Sequence, residues 1–526
     1  MITLVRRLAP VAVLAAALCV LAMPGTAVAK KVKTDQLGHC EGANIEGLGS
    51  SFQAPAEFVW TGKSFPTENG FNVSTSKLAC SGEKKPTVVY NQEEAQKGSG
   101  ACLKDFGAGG ATPKLTTFPG PCGTDEAPSE TAKIEYEGKA EGTPEKGEGI
   151  QTIPVLQGAL AVIVHLPEGC KAASEPDLNK KTTKLGRLSL ERSVVEGIYD
   201  GSIKTWKAAI AANKSASDKL SCTEPKEEEE TITPVVRLDK SGTTHIFKAF
   251  LKQVNTSEFQ MEEFNEINEK SAGHEHVLPC KVVLPPEKKT WAQVAEGCEN
   301  QRWPEAAHIV RGEVTGNPGV VGTVAKTPSS IGYADMAVAR EKGYFSQKGT
   351  GGTCLSPATE VCGGENTAGE QNVRFWTPVS ISKASSKKVE YADPATNGDV
   401  EALANSDCSK TVYALKAGEK FPPKTTRLDW SKVIGLDESK TYSICGLTYV
   451  IAPRLYYPFL HAENPAITQE QSQKIATTVS NYLVWVLSEK SGGGGEEVKN
   501  HDYEPLPKKA QKIAELGALE IGSKEA

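Results

Sequence analysis

Residues 158–166 read GALAVIVHL, and this stretch decides the fold class. It is a continuous, largely apolar run of strand length, without the alternation of polar residues that a half-exposed strand has. Such a run is typical of a strand buried on both faces of a largely parallel sheet. Residues 447–453, LTYVIAP, are similar. The stretches 246–254 and 475–487 carry apolar residues at helical spacing, so they predict amphipathic helices and, with the strands, an α/β protein.

The overall composition is that of a globular protein without excess positive charge. Of 526 residues, 39% are hydrophobic and 24% are charged, which excludes a disordered tail and allows two or three domain-sized cores. The 59 Lys and Arg residues and 65 Asp and Glu residues give a formal net charge of -6. No basic field would draw the chain to nucleic acid or to an anionic membrane, so any anion must be bound locally.

The first 29 residues have the pattern of a secretory signal peptide. Two arginines precede an apolar stretch from Leu8 to Ala22, and small residues follow at Ala27 and Ala29. The apolar part is shorter than the ~20 residues that a membrane-spanning helix needs, which argues against a retained anchor. Losing two arginines and no acid would take the net charge from -6 to -8. We expect the mature chain to be exported, to the periplasm or the cell exterior.

The cysteine count indicates a disulfide framework. Twelve of the 13 cysteines follow residue 29, and an even number in an exported chain suggests up to six disulfides. The connectivity does not follow from the sequence. The simplest assignment pairs neighbours along the chain: Cys40–Cys80, Cys102–Cys122, Cys170–Cys222, Cys280–Cys298, Cys354–Cys362 and Cys408–Cys445.

Polar, charge-dense stretches interrupt the apolar pattern at 129–149, 214–231, 262–276 and 490–501. They predict solvated loops or insertions. The HEH sequence at 274–276 has no further recognisable ligand set, so we expect neither a metal ion nor a cofactor.

Four short segments place glycines, hydroxyl side chains or a carboxylate where an apolar run ends and a helix can begin. They are GLGSSFQAP at 47–55, GSGA at 98–101, GTDE at 123–126 and RLDKSGTT at 237–244. The free N–H groups of a helix N-terminus, the positive end of its dipole and nearby hydroxyl groups can together bind an anion. Taken singly, each segment is more simply an ordinary helix cap.

Taken together and in this order, the four segments resemble the periplasmic phosphate-binding protein of ABC phosphate transporters, the PstS-like family. The pattern of that family runs GAG-x-TFPAP, then GSG, then SDAP, then R-x-DGSGT. The similarity continues at IQTIP (150–154), IYDGSIKTW (198–206), GNPGV (316–320), SIGYAD (330–335) and YEPLP (503–507). It therefore spans nearly all of the chain after residue 29.

The resemblance implies a type II periplasmic-binding-protein fold, in which two α/β lobes joined by a hinge enclose a ligand cleft. Lobe one would comprise residues 38–160 and 440–526, and lobe two would comprise residues 161–439 with the polar insertions. Carried over residue by residue, the implied phosphate contacts are Ser51, Phe52, Ser99, Asp125, Arg237, Ser241, Gly242 and Thr243. Asp125 would act as hydrogen-bond acceptor, and Arg237 would bring a full positive charge.

Four residues depart from the pattern of the family. Ser51 replaces Thr, Gln53 replaces Pro, Cys102 replaces Gly and Thr124 replaces Ser. None of these changes removes a named ligand group, and Ser51 keeps the hydroxyl.

The resemblance implies a monomeric binding protein that captures inorganic phosphate and delivers it to the membrane permease of an ABC transporter. Two alternatives remain: a secreted phosphate-ester hydrolase, and a protein of the same fold that is a phosphate scavenger or sensor without a transporter or that binds a different oxyanion. Against an enzyme, the eight histidines do not cluster as a metal-dependent phosphatase needs, and no GxSxG nucleophile motif occurs.

Overall fold

The described part of the chain begins at residue 42. A computed structural model describes residues 42–62, 70–72, 86–91, 98–108, 111–138, 149–172, 188–213, 220–224, 227, 229–262, 286–344, 374–381, 389–395, 408, 411–415, 428–436 and 441–522. The predicted signal peptide therefore lies outside the described residues. Among the helices within these ranges, none combines the length and hydropathy needed to cross a membrane.

The described ranges contain both strands and α-helices. The strands are β1 Ile45–Gly49, β2 Val88–Tyr90, β3 Cys122–Thr124, β4 Ile150–His165, β5 Cys170–Ala172, β6 Leu220–Cys222, β7 Thr233–Val236, β8 Phe259–Gln260, β9 Lys288–Lys289, β10 Val310–Arg311, β11 Ser330–Asp335, β12 Arg374–Thr377, β13 Val379–Ser380, β14 Tyr391–Ala392, β15 Val412–Ala414, β16 Ile434–Leu436, β17 Cys445–Pro453 and β18 Tyr503–Glu504. The α-helices are α1 Ala54–Thr61, α2 Ser99–Asp105, α3 Glu130–Glu137, α4 Arg192–Asp200, α5 Trp206–Ala212, α6 Gly242–Val254, α7 Gly316–Lys326, α8 Met336–Glu341, α9 Tyr456–Glu463, α10 Gln469–Val486, α11 Gly494–Glu497 and α12 Lys508–Glu520.

One large sheet has two parallel ends and an antiparallel centre. Its strand order is β10-β7-β11-β4-β17-β3-β1-β2, and β12 and β18 also pair with β4. Strands β10, β7 and β11 are mutually parallel, and so are β3, β1 and β2. The central strands β4 and β17 are antiparallel to each other and to their outer neighbours.

The GALAVIVHL segment is a buried strand, as predicted, but its pairing differs from the expectation of a largely parallel sheet. Its first eight residues form the second half of β4, in which every residue except Gln151 is buried. Strand β4 carries the chain from the β1–β3 end to the β7–β11 end, and β17 brings it back. The two crossing strands must run in opposite directions. Burial on both faces gives the same apolar run in either orientation, so the sequence pattern could not distinguish them.

The two predicted amphipathic helices are confirmed as α6 and α10. Helix α6 buries Ile246, Phe247, Phe250 and Leu251, and helix α10 buries Val479, Tyr482, Leu483 and Val486. LTYVIAP is likewise confirmed as the buried strand β17.

Three of the stretches predicted as solvated loops contain ordered structure, so that prediction is wrong there; the second, 214–231, contains strand β6. The stretch 129–149 contains helix α3. Ser129 caps this helix by accepting a hydrogen bond from the N–H of Ala132 at 3.2 Å. In the last, Gly494 is buried and its carbonyl accepts a hydrogen bond from Nε1 of Trp60 at 2.9 Å. A Cβ atom there would lie 2.7 Å from Cα of Val486, so close packing explains this glycine.

Three of the predicted disulfides are confirmed: Cys102–Cys122, Cys170–Cys222 and Cys408–Cys445. Each of the other three predicted pairs includes a cysteine outside the described residues. The first bridge joins α2 to the start of β3, so it ties together two of the segments singled out by their sequence.

Removal of the Cys102–Cys122 bridge should destabilise the fold. The bridge closes a sequence separation of 20 residues, so the variant Cys102→Ala/Cys122→Ala should lose ~3 kcal/mol of unfolding free energy. Urea denaturation without reductant measures this loss. The variant Cys170→Ala/Cys222→Ala, with a separation of 52, serves for comparison and should lose slightly more, ~4 kcal/mol. An unchanged unfolding midpoint in the first variant would contradict the structural role of this bridge.

Candidate functional site

The candidate site begins where the parallel strands β1 and β3 end. Because parallel strands end at the same edge of a sheet, the residues that follow them come together. Ser50 and Ser51 follow β1, and Asp125 follows β3. Helix α2 begins nearby at Ser99, and the side chains of all four residues are buried.

Three hydroxyl groups lie within hydrogen-bond distance of the Asp125 carboxylate. Its Oδ1 accepts from Ser50 Oγ at 2.5 Å and lies 2.9 Å from Thr448 Oγ1, and its Oδ2 accepts from Ser99 Oγ at 3.3 Å. Burial raises the pKa of Asp125 to about 6, although these bonds and the charge of Arg237 act in the opposite direction. A buried carboxyl group with this pKa can gain or lose a proton within the ordinary working range of pH.

Arg237, which follows β7, forms a buried ion pair with Asp239. Its Nε and Nη2 donate to the two carboxylate oxygens of Asp239 at 2.9 and 2.5 Å, and its Nη1 donates to Thr243 Oγ1 at 3.1 Å. Both side chains of the pair are 2% exposed. The φ angle of Gly98 is +73°, and a Cβ atom there would lie 2.6 Å from Nη2 of Arg237. Both observations explain the glycine that opens the GSGA segment.

The N-terminus of α6 lies directly against Asp125. A Cβ atom on Gly242 would lie 2.6 Å from Cβ of Asp125 and 2.6 Å from Oγ of Ser99. Ser241 caps the helix, because its Oγ accepts a hydrogen bond from the N–H of Thr244 at 3.1 Å. Within the described ranges, the N–H groups of Gly242 and Thr243 have no hydrogen-bond acceptor. They lie at the positive end of the helix dipole, where an anion is favoured.

Ser51 and Phe52 complete the predicted set, and both make hydrogen bonds within the protein. Ser51 Oγ accepts from the backbone N–H of Asn317 at 3.1 Å and from its Nδ2 at 3.3 Å. The N–H of Phe52 donates to Ser50 Oγ at 3.0 Å, and its carbonyl accepts from the hydroxyl of Tyr503 at 2.6 Å. A ligand that contacted Ser51 or Phe52 would have to share these groups. Their direct role in ligand binding stays a prediction.

The structure thus brings all eight sequence-predicted residues into one buried cluster, together with four that sequence reasoning did not include: Ser50, Asp239, Asn317 and Thr448. Ser50 and Asp239 lie inside the quoted segments, so they could have been proposed from their chemistry. Asn317 belongs to GNPGV and Thr448 to LTYVIAP, and neither segment gave a signal for the site.

The chemistry of the cluster is that of an anion site with an added acceptor. Hydroxyl groups, the N–H groups at the start of α6 and the guanidinium of Arg237 supply donors, whereas Asp125 supplies an acceptor. Within the described residues, the one cluster with metal-ligand spacing is Cys170, Cys222 and Glu227. Its cysteines form a disulfide, so they offer no thiolate to a metal.

Comparison with known proteins gives the family. A sequence profile described as a PBP superfamily domain matches residues 40–374. The chain is 27% identical over 192 residues to the phosphate-binding protein PstS of Methanocaldococcus jannaschii. That alignment covers 36% of this chain and 35% of the relative, so the chain spans about a third of the length of the relative that it matches.

Two solved structures match this chain over most of its length. A human phosphate-binding apolipoprotein has a TM-score of 0.50 at 14% identity, and the alignment covers 90% of this chain and 94% of that one. A phosphate-binding protein from Stenotrophomonas maltophilia has a TM-score of 0.47 at 13% identity, covering 90% and 93%. The predicted fold class, an α/β type II periplasmic-binding-protein fold with two lobes, is confirmed. The resemblance to the PstS-like family found in the sequence is also confirmed, and the chain belongs to the PBP superfamily.

Proposed function

We propose that the chain is an extracytoplasmic substrate-binding protein that captures inorganic phosphate between its two lobes. The observation that carries this proposal is the position of Asp125 against the N-terminus of α6, where a Cβ atom on Gly242 would lie 2.6 Å from Cβ of Asp125. A carboxylate beside free N–H groups and a guanidinium suits an anion that itself carries a proton. Phosphate is such an anion near neutral pH.

The proposed contacts divide between the proposed lobes. Ser51, Phe52, Ser99 and Asp125 belong to lobe one (38–160 and 440–526), and Arg237, Ser241, Gly242 and Thr243 belong to lobe two (161–439). A ligand drives closure only when it touches both lobes, and this division meets that requirement.

Direct contacts between the proposed lobes support a closed arrangement beside the site. The N–H of Asn317 donates to Ser51 Oγ at 3.1 Å. Glu126 Oε1 accepts from the N–H of Gly297 at 3.1 Å and lies 3.6 Å from Nζ of Lys240. These contacts flank the candidate ligand groups, so opening of the cleft would have to break them.

In this proposal, the chain is exported, binds phosphate as a monomer and delivers it to the permease of an ABC transporter without changing it chemically. The PstS protein of Methanocaldococcus jannaschii is named for phosphate binding, which supports the ligand class. Isothermal titration calorimetry of the mature chain with inorganic phosphate tests the proposal directly.

Loss of the Arg237 guanidinium, with its oriented hydrogen-bond donors, should weaken phosphate binding strongly. Truncating one partner of a buried charged hydrogen bond typically costs ~2–5 kcal/mol, so Arg237→Ala should lose roughly 30-fold to several thousand-fold in affinity. Because that variant leaves the carboxylate of Asp239 buried and unpaired, Arg237→Ala/Asp239→Ala should recover stability without recovering affinity. Lys326→Ala removes a positive charge from a side chain that is 67% exposed and serves as the control. An affinity loss of less than about threefold in both Arg237 variants would remove Arg237 from the site.

Replacement of Asp125 by asparagine should admit sulfate. Fully deprotonated sulfate would face the Asp125 carboxylate with lone pair against lone pair, whereas phosphate can donate a hydrogen bond to it. Sites that leave polar groups unpaired can reject a wrong ligand by roughly 10⁴–10⁵, and Asp125→Asn adds donors that relieve this mismatch. We expect competition titrations at neutral pH to show a much smaller phosphate preference in Asp125→Asn, mainly through stronger sulfate binding.

Asp200→Asn, at the end of α4, is the matched control and should keep the wild-type preference. If Asp125→Asn excludes sulfate as strongly as the wild type does, the carboxylate is not the selective group.

A further inference from the structure

A row of buried polar side chains extends from Asp125 into the interior of the protein, and the proposed phosphate contacts make no use of it. Thr448 Oγ1 lies 2.9 Å from Asp125 Oδ1 and 2.9 Å from Gln53 Oε1. Gln53 Nε2 donates to Glu57 Oε1 at 2.5 Å, and the hydroxyl of Tyr482 donates to Glu57 Oε2 at 2.5 Å. The side chains of Thr448, Gln53, Glu57 and Tyr482 are all fully buried.

Local structure fixes the positions of Gln53, Glu57 and Thr448 in this row. Gln53 is the N-cap residue of α1, and Glu57 lies four residues later, one turn along the same helix. The pairing register of β17 with β4 shifts between Thr448 and Tyr449, and an irregularity of this kind re-aims a side chain. Gln53 is also a position at which the chain departs from the family pattern, which has proline there. The row is therefore a feature of this chain and not of the pattern.

The hydroxyl group of Thr448 has fewer hydrogens to donate than it has acceptors within reach. Thr448 has one hydroxyl hydrogen and three acceptors around its Oγ1: Asp125 Oδ1 and Gln53 Oε1, each at 2.9 Å, and the Thr124 carbonyl at 3.2 Å. Glu57 Oε1 accepts from the amide nitrogen of Gln53, so the amide oxygen must face Thr448. If Thr448 donates to Gln53, its lone pairs face Asp125, and that arrangement suits a protonated Asp125. If Thr448 donates to Asp125, the ionised carboxylate is favoured and Gln53 Oε1 loses this donor.

We propose that Gln53, held in orientation by Glu57, is a positioning residue for anion selectivity. By competing with Asp125 for the Thr448 hydrogen, it sets the pH below which Asp125 carries a proton and ceases to reject fully deprotonated anions such as sulfate. This inference rests on the proposed function for its selectivity consequence, but the competition for the hydrogen stands on the geometry alone.

Several other titratable groups face the two carboxyl groups. Arg237 from the β7–α6 segment, Tyr90 of β2, Tyr449 of β17, Tyr503 of β18 and Asp335 of β11 interact electrostatically with Asp125. Glu57 is faced by Tyr90 and Tyr482, and burial raises its pKa to about 7. A protonated Glu57 can still accept from Gln53 when its proton lies on Oε2. These groups stay the same in the variants below, so their effects cancel in the comparison.

The test measures the titration midpoint of Asp125 in the ligand-free mature chain by NMR of ¹³Cγ-labelled aspartate, with Asp125→Asn to assign the signal. Gln53→Met removes the competing acceptor, so the midpoint should fall by about one pH unit, the size expected for one net hydrogen bond. Thr448→Val removes the donor at nearly constant volume, so the midpoint should rise by a similar amount. Gln53→Leu replaces Gln53→Met if the latter does not fold.

The control variant is Gln157→Met. Gln157 is equally buried, but its side chain binds the Pro505 carbonyl and the Tyr413 hydroxyl, so its loss should leave the Asp125 midpoint unchanged. If the role of Gln53 were merely structural, Gln53→Met would move the Asp125 midpoint no more than Gln157→Met does. An unchanged or raised midpoint in Gln53→Met would overturn the proposal.

Competition between sulfate and phosphate, measured from pH 4.5 to 8, tests the consequence for selectivity. The pH at which sulfate begins to compete should move down in Gln53→Met and up in Thr448→Val, in step with the NMR midpoints. If the Asp125 midpoints move but the pH at which sulfate begins to compete does not, Gln53 has no role in anion selectivity. A wild-type chain that binds neither anion would contradict the proposed function and, with it, the selectivity role. In that case, the Asp125 midpoints measured by NMR would still test whether Gln53 and Asp125 compete for the Thr448 hydrogen.

Discussion

The buried ion pair of Arg237 and Asp239 is the interaction on which the candidate site depends. It orients the guanidinium with two hydrogen bonds, and the third goes to Thr243 in the first turn of α6. Asp239 Oδ1 also accepts from the N–H of Gly316 at 3.0 Å, which fixes the start of α7. A single ion pair therefore positions the N-terminal turns of two helices around the same point.

The ion pair also changes the electrostatics expected from the sequence. Sequence reasoning treated Arg237 as a full positive charge in the site, but Asp239 already balances it at a distance of 2.5 Å. An anion must then be held mainly by hydroxyl groups and backbone dipoles, with Arg237 supplying direction more than net charge. Such a site favours ligands by their pattern of donors and acceptors, and Asp125 gives that pattern its one carboxylate, an acceptor that cannot donate when ionised, among the eight predicted residues.

The sequence predicted the elements better than it predicted their relations. The apolar runs of β4 and β17 and the helical spacing of α6 and α10 depend only on local burial, so they could be read directly. The antiparallel pairing at the centre of the sheet could not be predicted, because burial on both faces gives the same apolar pattern in either strand orientation. The contact of Thr448 with Asp125 could not be predicted for a related reason. Its direction depends on a register shift between β17 and β4, and pairing register across nearly 300 residues has no local signal.

The eight predicted ligand residues came from the order of four weak motifs, and the structure brings them into contact through chain segments that are far apart. Asn317 and Tyr503, which reach Ser51 and Phe52, lie in segments that were recognised only as part of the resemblance. What sequence reasoning lacked was the long-range contact itself.

In the proposed function, a small protonated anion joins the two sides of this cluster. Native mass spectrometry of mature protein purified without added phosphate, then exposed separately to phosphate and to sulfate, tests it most directly. We expect a one-to-one adduct of phosphate mass that survives excess sulfate. No phosphate adduct, or a sulfate adduct of equal abundance at neutral pH, would contradict it.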